Sequence, residues 1–126
     1  MSGPQRIMYV EDDPDIQAVA KIALEMVGGF SLKVCSSGEE ALREAEAFAP
    51  QLILLDVMMP GMDGLATLAA MRRLERLVEV PVIFLSAKAQ PSEVAYYKSL
   101  GALDVIAKPF DPMTLAERVR DLAELR

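Results

Sequence analysis

Short apolar segments alternate with longer segments of helical spacing along the chain, and this alternation constrains the fold more than any other feature. Five apolar segments of about five residues are each followed by about ten to fifteen residues with helical spacing. Parallel strands need a crossover of this length between them, and the crossover is usually a helix. The sequence therefore predicts an α/β fold, a doubly wound parallel sheet with helices on both faces. The predicted strands cover residues 7–10, 31–35, 52–55, 82–85 and 103–107.

The first helix has clear boundary signals. Asp13 is suited to the N-cap position and Pro14 to the first helical residue, while Gly28 and Gly29 end the helix. Residues at helical spacing predict which side of this helix faces the sheet. The predicted inner face consists of Ile16, Val19, Ala20, Ala23 and Val27.

Similar signals place the later helices. Ser37 and Glu40 predict a capping box at the start of the second helix. Ser92 is predicted to cap a short fourth helix that ends near Gly101. The last helix is predicted over residues 112–125, and its inner face carries Leu115, Val119 and Leu122.

The composition is that of one domain with a sizeable core. The chain has 126 residues, of which 52% are hydrophobic, and it contains no internal repeat or linker. Residues 1–126 are therefore predicted to form a single domain, with residues 1–5 as a short tail. The net charge of −6, without any basic run, argues against direct nucleic-acid binding by this chain.

Two further features bear on the cellular compartment. Cys35 is the only cysteine, so it forms no internal disulfide, and its place in a predicted strand favours a small buried hydrophobe. No apolar segment approaches the roughly 20 residues of a membrane span, and the N-terminus lacks a secretory pattern. We therefore expect a cytoplasmic protein without a membrane partner.

Polar side chains stand where four of the predicted strands end. Glu11 and Asp12 follow the first strand, and Asp56 ends the third. Ser86 ends the fourth strand, and Lys108 follows the fifth. Open α/β sheets bind ligands outside the carboxyl ends of their strands, which all lie at one edge. We expect these side chains to converge on Asp56.

Three carboxylates in one cleft repel each other unless a cation compensates their charge. Lys108 can supply part of that charge, and a divalent metal can supply the rest. The chain has no His, and the cluster offers only hard oxygen ligands, which indicates Mg²⁺ or a similar ion such as Mn²⁺. Because Mg²⁺ usually shares its coordination sphere with water and phosphate, the cluster suggests a phosphoryl ligand. A carboxylate can itself be the nucleophile of phosphoryl transfer and form an aspartyl phosphate.

Four motifs together resemble the receiver domain of two-component response regulators. They lie at residues 10–16, 54–64, 81–87 and 108–110, and the likeness extends from Ile7 to the last helix. The resemblance implies a flavodoxin-like fold, a five-stranded parallel sheet of order 2-1-3-4-5 flanked by five helices. It also implies a cis bond between Lys108 and Pro109.

The resemblance assigns a role to each candidate site residue. Asp56 would accept a phosphoryl group from a sensor histidine kinase or a histidine phosphotransfer protein. Ser86 and Lys108 would contact the phosphoryl group and assist catalysis. Mg²⁺ or Mn²⁺ would be bound by Glu11, Asp12, Asp56 and the backbone carbonyl of Met58.

The implied function is a phosphorylation-controlled switch. The domain would act on a downstream protein target or an attached output domain, and phosphorylation could also drive a homodimer. It would be a signalling phosphoacceptor that assists its own phosphorylation and dephosphorylation, and not a turnover enzyme.

Three positions depart from the commonest pattern of the family. Glu11 stands where many members have Asp, and Ser86 replaces the more frequent Thr while keeping the hydroxyl. Val105 occupies a position where many members have Tyr or Phe, so the usual movement of an aromatic ring on switching has no counterpart here.

Tyr96 and Tyr97, in the predicted fourth helix, allow two interpretations, a partner-binding patch or cover for the core.

Other function classes fit the residues less well. An aspartyl-nucleophile phosphatase needs a second acid two residues after the first, where Met58 stands instead. A flavin-binding electron carrier needs a hydroxyl-rich phosphate loop, whereas residues 11–13 are acidic. The alternative that remains is a receiver-like module that binds a protein partner without phosphorylation. Retention of all five functional side chains argues against that alternative.

Overall fold

The computed structural model describes residues 5–124, and within them a five-stranded parallel sheet has the order β2-β1-β3-β4-β5. The strands are β1 (Arg6–Val10), β2 (Ser31–Cys35), β3 (Leu52–Asp56), β4 (Val82–Ser86) and β5 (Asp104–Ala107). The helices are α1 (Pro14–Lys21), α2 (Gly38–Phe48), α3 (Gly64–Met71), α4 (Pro91–Ser99) and α5 (Leu115–Glu124). The predicted fold class and strand order are confirmed. Of the predicted tail, only Gln5 belongs to the described residues, and the predicted helix end at residue 125 lies outside them.

The helices cover the two faces of the sheet in separate groups. Side chains of α1 and α5 pack on one face, around Ile7, Leu54 and Ile83. Side chains of α2, α3 and α4 pack on the other face, around Ile53 and Phe84. Every residue of β3 and β4 is buried, which explains why both strands appear in the sequence as continuous apolar runs.

The first helix departs from the predicted inner face. After α1 it continues as a π-helix, Ile22–Val27, whose wider turns break the regular helical spacing. Ala20 and Ala23 are buried as predicted, but Val19 is 44% exposed and Val27 is 57% exposed, so the prediction was wrong for these two residues. The buried residue in this segment that regular spacing missed is Leu24.

Helix starts also differ in part from the predictions. The hydroxyl of Ser37 accepts a hydrogen bond from the Glu40 N–H at 3.0 Å, but the Glu40 carboxylate accepts from the N–H of Ser36, at 2.8 Å. Only half of the predicted capping box is therefore formed.

The fourth and fifth helices begin at other residues than predicted. The N-cap of α4 is Gln90 and not Ser92, because Pro91 takes the first helical position. The carboxylate of Glu93 accepts a hydrogen bond from the Gln90 N–H at 2.9 Å. The last helix begins at Leu115, later than predicted, and its predicted inner residues Leu115, Val119 and Leu122 are all buried.

The burial predicted for Cys35 is confirmed, and the structure places Tyr97, but not Tyr96, against the core. Cys35 is buried, and this burial raises the pKa of its thiol to about 11. Tyr97 covers the core with its ring 5.4 Å from that of Phe84, edge to face, while the neighbouring Tyr96 is 54% exposed.

Within residues 5–124, no helix combines the length and apolar character needed to cross a bilayer.

The shifted face of the first helix can be tested by unfolding in urea. Leu24→Ala should lower the free energy of unfolding by about 2–5 kcal/mol, because it leaves a cavity in a closed core. Ile22→Ala is the matched control and should change that free energy by less than about 0.5 kcal/mol, since Ile22 is 57% exposed. A larger loss for Ile22→Ala than for Leu24→Ala would contradict the observed helix phase.

Candidate functional site

The predicted site residues meet at the carboxyl edge of the sheet. Asp56 is the last residue of the buried strand β3, and Glu11 directly follows the neighbouring strand β1. Ser86 is the last residue of β4, on the other side of β3, and Lys108 directly follows β5. Alternation of strand and crossover brings these residues together from distant parts of the sequence.

The three acids form a cluster that could hold a cation. Glu11, Asp12 and Asp56 each offer one carboxylate oxygen, and these oxygens lie within 4.8 Å of one another. Glu11 and Asp56 are buried, while Asp12 is exposed to solvent. All three donors are hard oxygens with one side open to water, which fits a hexacoordinate ion such as Mg²⁺ that retains water ligands. The identity of the metal stays a prediction.

Lys108 joins the two buried carboxylates. Its Nζ lies 3.0 Å from Oε1 of Glu11 and 3.2 Å from Oδ1 of Asp56. Partial burial acts to lower the pKa of Lys108, but the hydrogen bond to Glu11 and the charge of Asp56 outweigh it and raise that pKa. The ammonium therefore stays protonated and neutralises part of the acidic cluster.

Glu11 is held by several donors in a buried position. Burial raises the pKa of its carboxyl group to about 6, although the hydrogen bonds from Lys108 and the Asp13 N–H act in the opposite direction. The Asp13 N–H lies 3.2 Å from Oε2. The hydroxyl of Tyr9 lies 3.5 Å from Oε1, and burial and the charge of Glu11 raise the pKa of that phenol. Tyr9 is therefore a protonated donor beside the carboxylate.

The loop after β1 is fixed by polar side chains. Asp13 caps α1 as predicted, since its Oδ1 accepts from the N–H of Asp15 at 2.9 Å. The amide group of Gln17 donates to the backbone carbonyl of Glu11 and to the hydroxyl of Ser36. These bonds hold the backbone from which Glu11 and Asp12 project.

Ser86 and the segment after β5 are joined through the backbone. The buried hydroxyl of Ser86 accepts from the N–H of Lys88 at 2.9 Å, which leaves its own proton free to be donated. The N–H of Lys108 donates to the carbonyl of Ser86, also at 2.9 Å. The Lys108–Pro109 peptide bond is cis, as the resemblance implies.

The loop after Asp56 lies close against the strand that precedes it. Gly64 donates its N–H to the Val57 carbonyl at 2.9 Å, and a Cβ at Gly64 would lie only 2.3 Å from the Asp56 carbonyl oxygen. Only glycine therefore fits here without moving backbone. Met58 lies in this loop with a 67% exposed side chain, and its carbonyl remains a predicted metal ligand.

Two residues around Glu11 were missed in the sequence. Tyr9 reads there as one more member of an apolar strand, although its spacing of two from Glu11 places both side chains on the same face. Gln17 lies within the first helix, and no sequence pattern joins it to the site.

The chain matches one protein family over most of its length. The sequence profile described as "Response regulator receiver domain" matches residues 7–120. The chain belongs to the response regulator receiver domain family. Receiver domains are the phosphoaccepting part of two-component systems, so the family agrees with the site described above.

Curated relatives include longer regulators. The transcriptional regulatory protein CseB of Streptomyces coelicolor is 38% identical over 120 residues, which make up 95% of this chain and 50% of that protein. The DNA-binding response regulator MtrA of Mycolicibacterium smegmatis is 37% identical over 116 residues, or 92% of this chain and 49% of that protein. The chain thus spans about half the length of these relatives.

Solved structures of other receiver domains have the same fold. Chemotaxis protein CheY4 of Vibrio cholerae superposes with a TM-score of 0.86 at 26% identity, covering 95% of this chain and 99% of that chain. The receiver domain of the Francisella response regulator 1452 has a TM-score of 0.85 at 29% identity and covers 98% of both chains.

The close approach at Gly64 predicts a sensitive position. Gly64→Ala should lower the free energy of unfolding by about 1–3 kcal/mol, because the added methyl group meets backbone atoms of Asp56 and Val57. Urea unfolding measures the loss, and amide chemical shifts of Asp56 and Val57 should move. Ala66→Ser, at an exposed position of the same helix, is the control and should change stability by less than about 0.5 kcal/mol. Equal effects of the two substitutions would contradict the close approach.

Proposed function

We propose that this receiver domain is a phosphorylation-controlled switch in which Asp56 accepts a phosphoryl group with the help of Mg²⁺ or Mn²⁺. The observation that carries the proposal is the environment of Asp56, a buried carboxylate with the Lys108 ammonium at 3.2 Å and two further acids beside it. Membership of the receiver domain family supports the same function.

The proposed transfer forms one bond and breaks another. A carboxylate oxygen of Asp56 attacks phosphorus, and the bond between phosphorus and the donor's nitrogen or oxygen breaks. The bonding electron pair leaves with the donor group: the imidazole of a phosphohistidine takes a proton from solvent as it leaves, whereas acetyl phosphate releases acetate, which needs none. The donor is proposed to be the phosphohistidine of a sensor kinase or of a histidine phosphotransfer protein.

The chain's own side chains supply much of the charge and orientation. Lys108 is in place to neutralise phosphoryl oxygens attached to Asp56, because its ammonium already contacts that carboxylate. Ser86 can donate the proton of its hydroxyl to a phosphoryl oxygen, since that hydroxyl accepts its bond from Lys88. Glu11, Asp12, Asp56 and the Met58 carbonyl are the proposed metal ligands. When bound, the metal adds positive charge where negative charge accumulates on the phosphoryl group.

The switch follows from the new charge on Asp56. A phosphoryl group offers Lys108 and Ser86 a partner that lies further from β3 than the free carboxylate does, and movement toward it would shift the loops after β4 and β5. Val105 is buried in β5 and cannot report this shift by swinging an aromatic ring. We propose that the backbone of these loops transmits the change.

The proposed output is a protein contact. A downstream protein target, an attached output domain or a phosphorylation-dependent homodimer would each read the same change of surface. CseB and MtrA are described as transcriptional or DNA-binding regulators, and about half of each protein matches this chain. The net charge of −6 supports protein partners, not nucleic acid, for the matched part. In this role the domain is a signalling phosphoacceptor and not a turnover enzyme.

Phosphorylation should depend on Asp56 and on the metal. Incubation with acetyl phosphate or phosphoramidate and Mg²⁺ should add one phosphoryl group to the wild type and none to Asp56→Asn, because an amide is not a nucleophile for phosphorus. Intact-mass spectrometry with and without Mg²⁺ measures this addition. Asp121→Asn changes an exposed carboxylate on α5 and should be labelled like the wild type.

Two results would count against this assignment. Stoichiometric labelling of Asp56→Asn would place the acceptor at another residue. A wild type that accepts no phosphoryl group from small donors or from a cognate protein donor would favour the phosphorylation-independent interaction module.

Lys108 should be needed for the response and not for metal binding. Lys108→Ala should still bind Mg²⁺, since it removes a cation that competes for the same carboxylates. It should lose the phosphorylation-dependent shifts of backbone amides near Ser86 and α4, measured by nuclear magnetic resonance. Lys21→Ala, at an exposed position of α1, should keep those shifts. If the phosphorylation-dependent amide shifts of Lys108→Ala equal those of the wild type, the proposed role of Lys108 is contradicted.

A further inference from the structure

Tyr9 is a buried side chain at the site that has no part in the proposed phosphoryl chemistry. Its side chain is fully buried among the residues that face α1 and α5. Its hydroxyl lies 3.5 Å from Oε1 of Glu11, and no described buried side-chain oxygen or nitrogen lacks a hydrogen-bond partner. A phenol in the core thus has the metal-binding carboxylate as its partner.

Glu11 needs more than one contact to stay in a single position. Its carboxylate is carried on one more methylene group than that of an aspartate, so it has more rotamers to exclude. Lys108 contacts Oε1 at 3.0 Å, but it is itself a long side chain and divides its contact between Glu11 and Asp56. The Asp13 N–H fixes only Oε2, at 3.2 Å.

Tyr9 supplies the rigid contact that Lys108 does not. Its ring is enclosed on all sides in the core, so the hydroxyl has little freedom to move away. Strand alternation places Tyr9 and Glu11 on the same side of the sheet, which lets the ring reach along β1 to the carboxylate. An aspartate at position 11 would end one methylene group nearer its own backbone.

We propose that Tyr9 is a positioning residue that holds the Glu11 carboxylate for the metal and adapts this site to glutamate at position 11. The inference rests on the proposed function through its metal site. The hydrogen bond of the Tyr9 hydroxyl is to Glu11, so its proposed effect on the metal passes through that carboxylate.

A double-mutant cycle tests this coupling in the full chain. The variants are Tyr9→Phe, Glu11→Asp and the double variant, and the probe is Mg²⁺ alone, titrated by isothermal calorimetry. Tyr9→Phe keeps the ring and should weaken Mg²⁺ binding by about five- to tenfold. In the Glu11→Asp background the same substitution should change Mg²⁺ affinity by less than about twofold, because the hydroxyl no longer has its partner.

A merely structural role of the hydroxyl gives a different pattern. It would lower the thermal midpoint of the metal-free protein equally in both backgrounds and leave Mg²⁺ affinity unchanged. Tyr97→Phe is the matched control, since Tyr97 is also buried but packs on the opposite face of the sheet, and it should leave Mg²⁺ affinity unchanged. If Tyr9→Phe fails to fold, tyrosine absorbance should still respond to Mg²⁺ in the wild type and not in Glu11→Asp.

The outcomes separate this inference from the proposed function. Equal losses of Mg²⁺ affinity in both backgrounds, no loss in Tyr9→Phe, or a wild type that binds no Mg²⁺ would overturn the positioning role. Labelling of the same proteins with acetyl phosphate tests the phosphoacceptor separately. A wild type with the expected cycle that is labelled neither by acetyl phosphate nor by a cognate protein donor would support the role of Tyr9 and count against the phosphoacceptor. If the wild type is labelled but Tyr9→Phe and Glu11→Asp change Mg²⁺ affinity additively, the role of Tyr9 is refuted and the phosphoacceptor assignment is not affected.

Discussion

The site depends on one ammonium group placed between two buried carboxylates. Glu11 directly follows β1 and Asp56 ends the neighbouring strand β3. The two buried carboxylates would repel each other, but Lys108 lies 3.0 Å from Glu11 and 3.2 Å from Asp56. Lys108 follows β5, which is two strands away from β3 and three from β1. Only a long cationic side chain can reach past the end of β4 to both acids. The strand order and the length of its side chain bring Lys108 to both acids, and its positive charge offsets the repulsion that would otherwise oppose folding.

Rigid strands below the site allow such a charged cluster to keep its geometry. All residues of β3 and β4 are buried, and each strand is hydrogen-bonded on both sides, so Asp56 and Ser86 are carried on the most enclosed part of the sheet. The loops above them are held by a few specific contacts. Gly64 lies against the Asp56 carbonyl, and the Lys108 N–H bonds to the Ser86 carbonyl. Buried strands joined to loops that are held by a few contacts suit the proposed switch.

The sequence predicted the strands and the convergence of the site, because short apolar runs and strand-end polar residues are local signals, while the strand order came from the resemblance to receiver domains. It failed where another local feature overrides the most obvious pattern. Leu24 is buried because the first helix continues with π-helical turns, which no regular spacing anticipates. The start of α4 follows Pro91 and not the more obvious cap at Ser92. Tyr9 was not predicted as a site residue, because it lies within an apolar strand and was interpreted as part of the core. The structure shows that its hydroxyl lies beside the Glu11 carboxylate.

In the proposed switch, the positive charge of Lys108 is shared between Glu11 and Asp56. Before phosphorylation, Lys108 is bound to Glu11 as well as to Asp56, so any movement of Lys108 toward a phosphoryl group gives up part of a buried ion pair. The Glu11 carboxylate would then be left with Tyr9, the Asp13 N–H and the metal. Without a metal, Glu11 would then be a buried carboxylate that has lost its cation, which is strongly destabilising. In the proposed switch, a bound metal would therefore be needed to compensate the charge of Glu11 when Lys108 moves toward the phosphoryl group.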